Sequence, residues 1–102
     1  MHCFTRKLAR NRGNARIWLE RKCLLSNGIT NGMRFNLSGD TNSVTLVFCA
    51  DGERKVAGTT DRPIIDINTG KLNEVMIKTH YQVKVCDQPL MLIITPIDNP
   101  NQ

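Results

Sequence analysis

The side chains in this 102-residue chain with which chemistry could be done are two histidines, four cysteines, nine carboxylates and fourteen lysines or arginines. Their spacing argues against most catalysis. There is no HExxH to set two imidazoles and a base on one helix face, no GxSxG nucleophile elbow and no phosphate-cradling GxxxxGK. His80 enters a strand from a turn and reads as structural, and His2 has no partner in sequence. Glu20 and Asp66 occupy comparable places near strand-to-helix junctions, where capping or pairing with Arg21 and Lys71 accounts for them. Cys3, Cys23, Cys49 and Cys86 lack the two-to-four-residue spacing that lets one loop present two thiolates to zinc. Cys23, Cys49 and Cys86 lie in or beside apolar segments and read as small core hydrophobes. Cys3 is a candidate exposed thiol with nothing near it to activate it. These residues predict a protein that is not an enzyme and holds no metal and no cofactor.

The cations are the more informative set. Through Lys22, the residues Arg6, Lys7, Arg10, Arg12, Arg16, Arg21 and Lys22 stand against one acid, Glu20, which gives +6, while the rest of the chain carries −1. Such asymmetry suggests a basic arm, Met1 to Ala15, on a nearly neutral body, of the kind that neutralises phosphates. A solubilising tail is the plain alternative. A membrane-surface helix fits poorly, because Asn11, Gly13 and Asn14 interrupt it and only Phe4 and Leu8 are sizeable apolar residues. Arg16, Arg21, Lys22 and Arg34 bracket one strand and helix, and Arg54 and Lys55 lie on a later strand. Together with the arm these are the expected nucleic-acid contacts. Trp18, the one tryptophan, is out of phase with Ile17 and Leu19. It either packs on the rim or stands ready to stack on a base or meet a protein partner.

The elements that would position these residues centre on Arg16 to Leu37, RIWLERKCLLSNGITNGMRFNL. Ile17 and Leu19 alternate as a strand, Lys22 to Asn27 gives one or two helical turns, Gly28 ends them, Asn31-Gly32 turns, and Met33, Phe35 and Leu37 resume the strand. Phe4 to Ala9 could form an edge strand, and Asn11 to Asn14 a joint. Ser38 to Asn42 is a turn by composition, and Ser43 to Ala50 completes a hairpin. Asp51-Gly52 then predicts a second hairpin, with Glu53 to Ala57 as partner strand. GTTDR, residues 58–62, reads as a connector. The pattern then returns. A gapless alignment of the chain with itself sets Ile17 and Leu19 against Ile65 and Ile67, and Leu24 against Leu72. It also sets Ile29 against Ile77, Phe35 and Leu37 against Val83 and Val85, and Val44 and Leu46 against Leu92 and Ile94.

The expectation is a single domain over residues 1–102: a basic arm (1–15), a first unit (16–50), a hairpin and connector (51–62), a second unit (63–95) and a polar tail (96–102) expected to fray. The fold class is mainly β with two short helices (α+β), an intramolecular pseudo-dimer of two strand-helix-hairpin units closing one barrel-like core. The longest apolar run, Leu90 to Ile94, is far short of a membrane span. No apolar segment of signal-peptide length follows the basic start, so a cytoplasmic location is expected.

The central stretch resembles the AbrB-type swapped-hairpin module, in which strand, basic short helix, G-x-x-x-G turn and strand run parallel to IWLERKCLLSNGITNGMRFNL. It is more similar still to SymE-like proteins and to small phage or prophage proteins associated with DNA cytosine methyltransferases. Their form IWLEGxxLxxAGFxxGxRFxV is nearly followed, and RKVAG (54–58) and RPIIDINTGKL (62–72) look like further segments of that group. The resemblance covers roughly residues 11–95. It implies an AbrB-like barrel, dimeric or pseudo-dimeric, that presents Arg16, Arg21, Lys22 and Arg34 to DNA. It also implies a toxin alternative in which the protein cleaves or compacts nucleic acid. The basic arm and the second copy depart from a minimal unit, and neither copy has an evident nuclease centre.

Three functions follow. The first is a non-enzymatic nucleic-acid-binding protein of phage or mobile-element origin, with DNA the expected partner before RNA and the chain a monomer by internal pairing or a homodimer. The second is a phage-coded inhibitor that uses Trp18 and the basic face to occupy a bacterial defence or restriction complex. The third is an RNase-type toxin.

Overall fold

The computed structural model describes residues 2–100 as ten strands and two one-turn helices. The strands are β1 (His2–Lys7), β2 (Ala9–Asn11), β3 (Asn14–Glu20), β4 (Arg34–Gly39), β5 (Val44–Phe48), β6 (Arg54–Lys55), β7 (Ala57–Gly58), β8 (Pro63–Ile67), β9 (His80–Asp87) and β10 (Leu90–Ile97); the helices are α1 (Lys22–Leu25) and α2 (Leu72–Val75). They form a six-stranded antiparallel sheet in the order β1-β9-β10-β5-β4-β6 and a four-stranded sheet in the order β2-β3-β8-β7. The fold is thus mainly β with two short helices. No helix among the described residues is long and apolar enough to cross a membrane.

Period-two alternation puts one face of each sheet in a shared core. Ala15, Ile17, Leu19, Ile65 and Ile67 from the small sheet meet Phe35, Val44, Leu46, Tyr81, Val83, Val85, Leu92 and Ile94 from the large one, all buried. Leu24 of α1 and Leu72, Val75 and Met76 at α2 close its sides. Asn73 docks α2 on β3, its Oδ1 accepting from the Ala15 N–H at 2.7 Å and its Nδ2 donating to Asn14 Oδ1 at 2.8 Å.

The sheets are joined by two bent strands. At Leu8 the chain leaves the large sheet as β1 and enters the small one as β2. At Val56, the position that the internal alignment sets against Leu8, it does the same between β6 and β7. Both residues are buried, and their amides make matching bonds: Leu8 N–H to the Thr79 carbonyl, and Val56 N–H to the Met33 carbonyl, each 2.8 Å. Two ladders tie the front of the chain to the back. In β3–β8, Trp18 faces Asp66; in β5–β10, Thr45 faces Ile93. Residues matched by the internal alignment therefore face one another near the middle of both ladders.

Several expectations need correcting. The ladders among the described residues form two open sheets, not a closed barrel, because each bent strand hands its pairing from one sheet to the other. Residues 2–11 of the expected basic arm are β1 and β2, paired in both sheets. Asp51-Gly52 makes no hairpin with β5; the chain turns there, and β6 pairs with β4 on its far side. Gly52 allows this by packing on the β4 backbone, where a Cβ would lie 2.5 Å from Phe35 N. Within GTTDR, Gly58 ends β7 and residues 59–62 are the loop of the β7–β8 hairpin, closed by reciprocal Thr59 and Arg62 backbone bonds. The β9–β10 loop is also two residues shorter than the β4–β5 loop. The second unit's strand consequently slips by two, setting Phe35 against Tyr81 and Leu37 against Val83. Cys23, Cys49 and Cys86 are half-buried rather than fully in the core. Met1 of the arm, and Asn101 and Gln102 of the polar tail, lie outside the described residues.

Gly52→Ala is expected to destabilise by about 2 kcal/mol, since a Cβ there meets backbone that cannot yield. Gly70, with nothing within 4 Å of its Cβ position, is expected to accept Ala with no loss. Thermal unfolding of both variants checks this, and equal midpoints would contradict the packing at Gly52.

Candidate nucleic-acid interface

Directly opposed residues of an antiparallel pair share a face, so register fixes what each sheet shows to solvent. On the small sheet this face carries Arg16, Trp18 and Glu20 of β3 and Ile64 and Asp66 of β8. Its charges are already matched. Arg16 grips Asp66 with two parallel bonds, Nε to Oδ1 at 2.8 Å and Nη2 to Oδ2 at 2.9 Å, while its guanidinium lies 4.6 Å over the Trp18 ring. Arg62 Nε donates to Glu20 Oε2 at 2.8 Å. That bond, with a second from the Trp18 side chain, holds the Glu20 carboxyl below its usual range. The partners expected from sequence, Arg21 for Glu20 and Lys71 for Asp66, are not the observed ones; cross-strand neighbours outcompeted the local ones. Trp18 is half-buried in a neutralised cluster, a poor place to attract phosphate.

The outward face of the six-stranded sheet is different. Lys7 on β1, His80 and Lys84 on β9, Arg34 on β4 and Lys55 on β6 share it, with Lys7 opposite His80 and Arg34 opposite Lys55. None of the four Lys and Arg side chains makes an ion pair among the described residues. Asn36 on the same face accepts from the Glu53 backbone N–H at 2.9 Å, which ties the segment before β6 to β4. Between the cationic flanks run Thr45 and Val47 of β5 and Met91, Ile93, Thr95 and Ile97 of β10, all half-buried. Five strand spacings make the face roughly 24 Å wide.

The other candidates disperse. Arg6 and Arg54 share the inward side of their edge strands, opposite Tyr81 and Phe35, and Arg6 lies 4.7 Å over the Phe4 ring. Arg10 is exposed on β2, and Arg12 forms the tight β2–β3 turn with Gly13. Arg21 and Lys22 are exposed at the opposite end of β3. Arg12 and Arg21 are the two non-glycine residues with positive φ among the described residues, at 55° and 57°. With ψ at −123°, Arg21 sits in a region that glycine favours.

The ten cations expected from sequence thus do not form one patch. Arg34 and Lys55 come together on one sheet face, Lys7 shares that face at its opposite edge, Arg16 is committed to Asp66, and the rest line edges and turns. Lys84 joins the face and was missed, although its alternation with Val83 and Val85 placed it opposite the core. Comparison with protein-family models, curated proteins and solved structures finds no match to this chain. The residues themselves must therefore carry the functional argument.

Beneath the Trp18 strand, the buried Tyr81 hydroxyl bonds to the Trp18 backbone and links the two sheets, and burial pushes its pKa up to about 12. The protonated phenol is the form the fold favours. Its contribution is complete below the unfolded value near 10 and is lost as pH rises through about 12. Tyr81 is the one tyrosine, so tyrosinate absorbance reads it alone. A folded-state midpoint near the unfolded value would place the hydroxyl in water.

Replacing Arg21 by Gly should relieve the backbone, raising stability by about 1 kcal/mol in denaturant titration. A loss on the same scale would mean that the arginine side chain supports the fold.

Proposed function

We propose that this is a non-enzymatic, cytoplasmic nucleic-acid-binding protein of phage or mobile-element origin, with duplex DNA its partner before RNA. The observation that carries the reading is the outward face of the six-stranded sheet, where Lys7, Arg34, Lys55 and Lys84 stand without ion-pair partners among the described residues. Cations outside ion pairs attract phosphates without breaking an internal salt bridge, although Arg34 Nη1 also donates to the Gly52 carbonyl at 3.2 Å, and phosphate contacts supply most of non-specific affinity. The aliphatic centre carries no aromatic ring, so single-strand binding by base stacking has little to work with there. Contacts to the backbone of a duplex suit the face better.

The two halves of the chain are read as copies of one unit, paired as a dimer within one polypeptide. The facing of aligned residues at Trp18/Asp66 and Thr45/Ile93, and the matched corners at Leu8 and Val56, support that reading. So does the likeness of TRKLA (5–9) to ERKVA (53–57). The AbrB-type and SymE-like resemblance fits a unit of this kind.

The second reading, an inhibitor that occupies a bacterial defence complex, draws on the small sheet. Trp and Arg are the residue types that dominate protein interfaces, and a half-buried Trp18 under an ion-paired Arg16 offers area without net charge. Pull-down from nuclease-treated lysate separates the readings. A partner retained through Trp18 and lost in Trp18→Ala favours the inhibitor.

For the first reading, full-length protein should shift duplex DNA at ~50 mM salt, and log affinity should fall with log salt with a slope of about −3 to −4 for four phosphates. Arg34→Gln with Lys55→Gln should cut that slope by about 2. Arg16→Gln should leave it unchanged, because that guanidinium is already committed to Asp66. Absence of any shift by the wild-type protein at the lower salt defeats the proposal.

A further inference from the structure

A recess of about 190 Å³ lies where β1 bends into β2, lined by Lys7, Leu8, Arg10, Ile77, Lys78 and Thr79. We infer that it is a phosphate-binding subsite, taking one phosphate group of a larger ligand; this rests on the nucleic-acid reading above and gives it an anchoring point. Three cationic residues line it from two segments of chain: Lys7 and Arg10 on the bent β1–β2 strand, and Lys78 in the turn before β9. The one acid paired with any of them among the described residues is Asp98, whose Oδ2 is 3.5 Å from Lys78 Nζ and whose side chain is 88% exposed, so it screens Lys78 weakly and yields readily to a stronger anion. The volume is below the roughly 300–1,000 Å³ of pockets that enclose whole small molecules. It therefore suits a group on a chain better than a free nucleotide. Ile77, 72% exposed at the rim, offers an apolar contact for the sugar beside such a phosphate.

The chain carries its own control. The matched bonds of Leu8 with Thr79 and of Val56 with Met33 set the two corners in correspondence. In the other corner Gly58 stands where Arg10 does, and Gly32 where Lys78 does; only Lys55 repeats Lys7. The same corner is thus built with two glycines in place of two cations, so the fold does not require Arg10 or Lys78. Both side chains are exposed, and packing does not account for them either. Three like charges around one recess repel, and an anion between them relieves that repulsion.

The test is amide chemical-shift mapping of the full chain by NMR, with a short DNA duplex and separately with inorganic phosphate against chloride at matched ionic strength. Both anions should move the amides of Leu8, Arg10, Lys78 and Thr79. Arg10→Gln with Lys78→Gln should abolish those shifts and weaken duplex binding about 10-fold or more at low salt, lowering the salt slope by about 1 for the one phosphate lost. If the duplex binds but these amides stay still, and the double variant binds as tightly as wild type, the subsite is overturned while the nucleic-acid reading stands. If no duplex binds yet phosphate moves these amides and the variant abolishes it, the subsite holds and that reading fails. Amides unmoved by either anion overturn the subsite outright.

Discussion

Two antiparallel ladders, β3 with β8 and β5 with β10, are the constraint on which the rest depends, because each joins the front of the chain to its back while one face of each feeds the same core. A one-residue slip in either would turn Ile17, Leu19, Leu46 or Leu92 out to water. Burial of those residues thus fixes register, and register fixes everything on the outward faces. Trp18 stands over the small sheet because Ile17 and Leu19 cannot. Lys84 reaches solvent because Val83 and Val85 are at 0% and 2% exposure in the core. The polar surface is in this sense dictated by the apolar one.

With the core setting directions, the identity of outward residues is free to serve other ends, and the two outward faces use that freedom differently. The small sheet closes its charges on itself: arginine meets aspartate, arginine meets glutamate, and the indole lies between. Such pairs at the surface add little to stability, but they leave the face electrically quiet. The large sheet leaves its cations open. Self-association through that face would bring lysine and arginine against their own kind, a repulsion that the small sheet's matched charges do not impose.

Much of this was legible in the residues. Alternation at Val44, Leu46 and Phe48 found β5, and Gly28 marked the turn that follows α1 at a φ of +75°. What failed was non-local. Asp51-Gly52 has hairpin chemistry, yet turn chemistry does not say which strand the chain will pair with afterwards, and β6 went to β4. Asp66 found Arg16 rather than Lys71 because β3, remote in sequence, lay nearer than the next turn. The likeness of TRKLA to ERKVA was present in the letters. A basic stretch near a terminus has the composition of an arm as well as of a strand, and only the bend at Leu8 into the small sheet distinguishes the two.

That likeness sharpens the meaning of the charge asymmetry. Under the same alignment, Arg10, Arg12, Arg21 and Lys22 correspond to Gly58, Thr60, Thr69 and Gly70, so most of the asymmetry arises where the back half builds comparable segments from small neutral residues. Two of the four arginine and lysine positions, Arg12 and Arg21, hold a backbone conformation that a glycine would adopt more easily. Cations kept where the fold tolerates or prefers glycine are not explained by folding. Charge that is lopsided along the sequence is nevertheless spread in space: Lys7 and Arg34 from the front half and Lys55 and Lys84 from the back share one sheet face, while Arg12 and Arg21 stand at opposite ends of β3.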